Sequence, residues 1–331
     1  MTAPLDAPGA GTRAQPDAVA QSGDVKSIQG RSLGQIAWMR LKRDKVALAG
    51  GVIVIVLVLI AVFAPVLARL VGQSPTDFHQ ELINSETLAP KDGTGISLQH
   101  LFGVEPVNGR DIFTRIVYGA RISLVIAFLA TMLSVLIGTM LGVVAGFFRG
   151  WVDSVISKVM DVFLAFPLLV FAIAIAGVVP DSAFGISGDA LRVTLLVIII
   201  SFFSWPYIGR IIRGQTLSLR EREFVDAARS LGARGPYILF REILPNLMAP
   251  ILIYSTLLIP SNVLFEAALS FLGVGVRPPT PTWGGMLSDA VRFYTIPHFM
   301  FFPGMAIFIT VLAFNLFGDG LRDAFDPKAA R

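Results

Sequence analysis

ISLVIAFLATMLSVLIGTMLGVVAGFF, residues Ile122 to Phe148, runs for 27 residues between two arginines without a charge. A helix needs about 20 apolar residues to cross a bilayer core, so this stretch can span a membrane. Gly138, Gly142 and Gly146 recur at every fourth position, and Gly150 continues the spacing. Small residues at that interval lie on one helical face and let a second backbone approach closely. The segment reads as a span packed tightly against another helix.

Five more stretches follow the same logic. Val46 to Ala68 is free of charge for 23 residues, and Val159 to Pro180 is apolar except for Asp161. Between Arg192 and Arg210 lie 17 residues, a short span whose arginines can snorkel. A fifth runs from about Pro250 to Gly273 and contains Glu266; a sixth runs from about Phe299 to Phe317. The composition agrees. Of the 331 residues 54% are apolar and 15% charged, against about 25% charged in a soluble chain.

The basic residues orient the spans. With the N-terminus inside, segments 1–45, 149–158, 210–248 and the tail after Gly320 hold 19 of the 27 Lys and Arg. Under the positive-inside rule both ends are cytoplasmic. Arg110, Arg115 and Arg121 run against the count, on the proposed outer side.

This gives an all-α integral membrane protein with a definite division of the chain. Residues 1–31 read as a disordered cytoplasmic tail, and 32–45 as a basic amphipathic segment on the membrane surface with Trp38 and Leu41 facing down. Residues 46–71 form the first span, a retained anchor because its preamble is too long for a signal peptide. Residues 72–109 form an extracytoplasmic loop, 110–321 a core of five spans, and 322–331 a cytoplasmic tail. Pro167, Pro206 and Pro260 fall within apolar runs and are expected to kink them. Residues 273–298 read as stiff and non-helical, a structural cap on the pathway or a contact for an extracytoplasmic binding protein, with Trp283 at the outer interface.

Several chemistries lack the residues they need. There is no Cys, hence no disulfide or thiolate site. The three His, at 79, 100 and 298, form no HExxH motif. Asp77, His79 and Glu81 alternate on the loop but read as solvated side chains, so no metal is expected. No GxxxxGK[ST] loop is present to cradle a phosphate, and three dispersed His supply no catalytic triad. Asp161 and Glu266 must face protein, water or the membrane edge. They are the pathway or interhelical candidates.

The most informative polar segment is 213–248. Ser218 and Glu221 have capping-box spacing. Phe224, Ala227, Ala228 and Leu231 make one apolar helical face, ended by Gly232 and Gly235-Pro236. Tyr237, Phe240, Ile243 and Leu244 begin a second helix, and Pro245 with Pro250 leads into the fifth span. This is a helix–turn–helix with arginines around a small apolar face, in the form of a docking knob. Tethered to the membrane at both ends, it is not a nucleic-acid reader.

Asp226-Ala227-Ala228, Gly232 and Leu244-Pro245 resemble the EAA loop of ABC importer permeases, with Asp226 in place of Glu. Gly109 to Arg115, Tyr118 to Arg121, Leu269 to Gly275, Pro278 to Gly284 and Ala313 to Asp323 narrow the resemblance. Over residues 32–328 the chain is similar to the C-type permease subunit of dipeptide/oligopeptide ABC importers. That resemblance implies the type I permease fold with six spans, in a bacterial inner membrane. It implies a homologous B-type permease, two cytoplasmic ATPases that bind ATP and Mg, an extracytoplasmic substrate-binding protein and surrounding lipid as partners. It assigns ATPase coupling to Asp226, Ala227, Ala228, Arg229, Gly232, Ala233, Arg234, Leu244 and Pro245. The chain itself would bind no cofactor and would not be an enzyme. Nickel and glutathione importers use similar permeases, so these or another small solute are the alternative cargo classes; a self-sufficient secondary transporter is the more remote alternative.

Overall fold

A computed structural model describes residues 33–180, 182–183 and 185–325. The expectations for 1–31 and for 326–331 lie outside the described residues. Asp44 starts the first long helix, accepting from the amides of Val46 (2.9 Å) and Ala47 (3.0 Å) and so satisfying two orphan donors. That helix, α2 (Lys45–Val62), follows a short α1 (Leu33–Leu41) and is itself followed by α3 (Ala64–Val71). The single first span expected over 46–71 is thus divided at Phe63, just before the proline at the start of α3.

Asp111 caps α4 (Ile112–Phe148) by accepting from Thr114 N at 2.7 Å. At Arg149 and Gly150 the backbone turns through positive φ, +54° and +64°, into α5 (Gly150–Ala165). Then comes α6 (Leu168–Val178), bent by 79° from α5, measured over Leu168–Ile175. The third apolar stretch is therefore a bent pair of helices, a broken span or a re-entrant loop. Phe166 precedes Pro167 and is extended, the conformation proline imposes on its predecessor. A two-residue hairpin, β1 (Ser182–Ala183) and β2 (Ile186–Ser187), leads to α7 (Gly188–Arg220). Pro206 lies inside α7 and breaks nothing.

Beyond α7 come α8 (Glu223–Ser230), a single turn α9 (Gly235–Tyr237), a π-helical turn over Ile238–Ile243, and α10 (Leu244–Phe271). Pro250 and Pro260 are both interior to α10. The last helices are α11 (Trp283–Val291) and α12 (Pro297–Phe325). The presence of α11 corrects the non-helical reading of 273–298. The sixth stretch, expected to about Phe317, is carried by a helix that continues to Phe325. Five helices are long and apolar enough to cross a membrane, and up to six spans result if the bent α5–α6 pair counts as one.

The glycine stripe sets the centre. A Cβ on Gly138 would lie 2.7 Å from Trp205 O, on Gly142 2.5 Å from Gly209 O, and on Gly146 2.7 Å from Thr216 Cβ. The contacts advance together along both helices, so α4 and α7 run parallel with their backbones nearly touching. Gly150 does not belong to this stripe: it sits in the turn after α4, and a Cβ there would meet nothing. Asn262 on α10 ties three helices together, donating to Thr131 Oγ1 (2.8 Å) and accepting from Ser204 Oγ (3.1 Å). Gly50 on α2 packs against Ala313 and Phe317 of α12, which runs antiparallel to it.

This arrangement brings α1 to the end of α12. Ala37 and Leu41 pack with Ala47 and Ala324, and Arg40 Nη1 donates to Ala324 O at 3.5 Å. Leu41 therefore faces protein, while Trp38 is exposed beneath the Lys42 ammonium, 5.2 Å from its ring. Trp283 is likewise buried, its indole donating to Ile116 O at 3.0 Å, and is not an interfacial anchor.

Candidate coupling site

The knob between α7 and α10 is built on the end of α4. Glu221 pairs with Arg149 at 2.6 Å, and Arg220 donates to Phe147 O while its guanidinium sits 5.9 Å from the Phe147 ring. Ser218 lies inside α7, and α8 begins at Arg222 with no side-chain cap, so the capping box does not form. Its ends are instead favoured electrostatically. Glu223 and Asp226 fall in the first turn and Arg229 in the last, each matched to the helix dipole.

One face of α8 is anchored. Val225 is fully buried in a cluster with Ile208 and Ile212 of α7, Ile238 and Ile243 of the π turn, and Leu247 of α10. Ala228 and Ala233 pack against the same cluster. The other face is open. Leu231 is 89% exposed, Phe224 and Ala227 are exposed, and Asp226 pairs with Arg229 at 3.2 Å on the surface. Phe224, Ala227 and Leu231 are thus the apolar side chains that this face of the knob leaves in solvent.

Gly232 follows with a φ of +83°, in the left-handed region, and it closes α8 with Gly232 N to Arg229 O (2.9 Å) and Ala233 N to Ala228 O (3.0 Å). A Cβ would meet nothing there. The position needs glycine for its backbone conformation, and its outer side is open. Beside it lies an open concavity of about 480 Å³, floored by Ala228, Gly232 and Ala233 and rimmed by Leu231, Arg234, Tyr237 and Glu242. Leu244 is half-buried and Pro245 exposed at the start of α10. Because the π turn runs straight into α10, the second helix of the knob and the fifth span are one continuous rod.

The two acidic candidates separate. Asp161 on α5 pairs with Arg210 on α7, both side chains more than half exposed. Glu266 is fully buried, with Ser270 Oγ donating to its Oε1 at 2.7 Å, so it belongs to the helix core.

At the opposite end of the bundle the structure assembles a site that the sequence reading passed over. Glu105 is buried between Arg110 and Arg115: Arg110 Nε contacts its Oε1, and Arg115 Nε lies 3.1 Å from its Oε2. Arg115 also donates to Pro75 O (3.2 Å) and Pro279 O (3.3 Å), clamping loop 72–109 to the segment before α11. These two arginines are consumed in structure, which explains why they offset the charge count. His100 is buried against Asp111 at 3.0 Å, with His79 edge-on at 4.9 Å. His79 itself contacts Glu81 (3.2 Å) and Gln73 (2.9 Å). A backbone hydrogen bond, with His79 adding to it, holds the Glu81 carboxyl below the usual carboxylate range. Among the described residues no three His, Asp or Glu converge as metal ligands.

Comparison with known proteins accounts for this architecture. The family described as "Binding-protein-dependent transport system inner membrane component" matches residues 138–331, and "N-terminal TM domain of oligopeptide transport permease C" matches 32–90. The glutathione transport system permease protein GsiD of Escherichia coli O6:K15:H31 is 41% identical over 92% of this chain and 93% of its own length. Its counterpart from Shigella flexneri serotype 5b is 42% identical over the same shares. The MetNI methionine ABC transporter, solved in inward-facing conformations, has a chain that overlays with a TM-score of 0.53 at 17% identity. That overlay covers 64% of this chain and 97% of the MetNI chain, and shows the fold. The chain therefore belongs to the binding-protein-dependent transport inner membrane component family, as a non-catalytic ABC-importer permease subunit of the bacterial plasma membrane.

Proposed function

We propose that this chain is one of two permeases in an ATP-driven importer of a small peptide-like solute, with glutathione as the leading cargo class. The relatives at 41–42% identity over nearly the whole chain are named as glutathione permeases, and they support that class ahead of dipeptides or longer oligopeptides. Its partners are a homologous permease, two ATPases that carry ATP and Mg, and a substrate-binding protein that delivers cargo at the opposite end. Both termini and the knob lie on the cytoplasmic side.

The observation that carries the coupling role is the division of α8 into an exposed face and an anchored one. A partner that seats Leu231 and the floor around Gly232 pushes on Val225, and through it on α7 and α10 together. The close backbone contact of α7 with α4 passes that motion across the bundle as a rigid-body shift, the repertoire of alternating access. Asp226, Ala227, Ala228, Arg229, Ala233 and Arg234 line this contact, and Leu244 and Pro245 lie in the continuous rod behind it.

Reconstitution of the permease pair with its ATPases and binding protein in proteoliposomes tests the reading. ATP-dependent accumulation of labelled glutathione, competed poorly by neutral dipeptides, is expected. Uptake that persists without ATPases contradicts the importer assignment; ATP-dependent uptake of dipeptides alone contradicts only the cargo class.

A further inference from the structure

Between α2 and α4, on the surface of the bundle, lies a groove of about 460 Å³. Its walls are aliphatic and aromatic: Val58 and Val62 from α2, Leu124, Val125 and Phe128 from α4, and Phe314 from α12 behind them. Val58, Val62, Val125 and Phe128 are all exposed, so the groove opens outward along the spanning region and is not an internal cavity. One charge lines it. Arg121 sits at the boundary of the charge-free run of α4, toward the end of the bundle that bears loop 72–109, and no acidic side chain lines the groove.

The contrast with the neighbouring cations is informative. Arg110 and Arg115 are buried and share Glu105, and Arg210 at the other end holds Asp161. Arg121 is exposed and forms no ion pair among the described residues. A guanidinium at the edge of the hydrocarbon region, above an apolar slot, is complementary to one kind of molecule: a phosphate on an acyl chain. We propose that this groove binds an anionic glycerophospholipid, one acyl chain lying along Val58, Val125 and Phe128 and the headgroup phosphate paired with Arg121. A zwitterionic lipid brings its own cation beside the phosphate and so gains less from a lone arginine.

The site is tested on the intact permease in nanodiscs of phosphatidylethanolamine containing a minority of phosphatidylglycerol. Lipid retained after mild detergent extraction is quantified by native mass spectrometry. Phosphatidylglycerol is expected to be enriched about fivefold over its bulk fraction, the scale of one arginine at a membrane surface. Arg121→Gln should bring the ratio back to bulk, and Arg121→Lys should keep most of it. Arg121 is exposed, so neither variant disturbs the core. A photo-crosslinking residue at Val125 in the assembled transporter supplies the second readout, and capture of lipid is expected. Equal retention by wild type and Arg121→Gln would overturn the proposal, as would crosslinking of Val125 to the partner permease.

Discussion

A methyl group added at Gly142 would sit 2.5 Å from Gly209 O and 3.1 Å from Arg213 N, two backbone atoms that have no rotamer to change. Gly142→Ala should therefore force α4 and α7 apart and cost about 1–3 kcal/mol, the range for overpacking, with Gly142→Leu worse. Val52→Leu, at a position 57% exposed, is the control and should be neutral. Thermal midpoints of the purified permease separate the two. Gly232 fails for a different reason: with open space around it, Gly232→Ala meets only the left-handed backbone penalty, about 1–2 kcal/mol. Limited proteolysis at 230–236 should then accelerate while the spans stay intact. Spacing in the sequence revealed the stripe at 138, 142 and 146 but misplaced Gly150, because nothing in the run of residues announces that the chain turns at Arg149. The Glu105–Arg110–Arg115 clamp was equally hidden. Its neighbours come from Pro75 and Pro279, and pairing over such separations has no local signature.

Elements follow their charge-free runs where packing leaves them alone, and depart where a proline meets an opening. Pro206 and Pro260 are buried among neighbouring helices and stay inside α7 and α10, whereas Pro167 separates α5 from α6. Proline alone did not distinguish these outcomes, since half-buried Pro250 also stays inside α10. The knob was legible as helix, turn and helix because its apolar spacing and its glycines are local. The π turn that welds its second helix to the fifth span was not. The loop element at the opposite end rests on its buried acid. Glu105→Gln leaves two buried guanidiniums without a counter-charge, which should cost about 3–5 kcal/mol. Hydrogen exchange over 72–109 should rise sharply in that variant and remain unchanged in α7 and α10. Protection retained in the loop would show that the clamp is not what holds it.

At the scale of the whole molecule, α1 meets the end of α12 beside the start of α2, and the knob rests on the end of α4. In the proposed six-span topology the α5–α6 pair counts as one crossing, and both described termini and the knob then share one side. The absence of native Cys suits a labelling test. Ser230→Cys should react with an impermeant maleimide only in inverted vesicles, and Leu98→Cys, at a site 96% exposed, only in intact cells. In the proposed coupling the bundle works as a lever whose handle is α8, and α8 has a residue that can be changed without touching the core. Leu231→Arg alters a side chain 89% in solvent, so six-span insertion and permease pairing should survive. Seated in an apolar socket on an ATPase, the same change should weaken association by about 30-fold, as for loss of an interface hot spot. The direct measurement is co-purification of the ATPases with Leu231→Arg and wild-type permease at matched membrane levels, read beside ATP-driven uptake. Loss of both with normal insertion is the predicted result; wild-type ATPase recovery and uptake would contradict the assignment of α8 as the coupling surface.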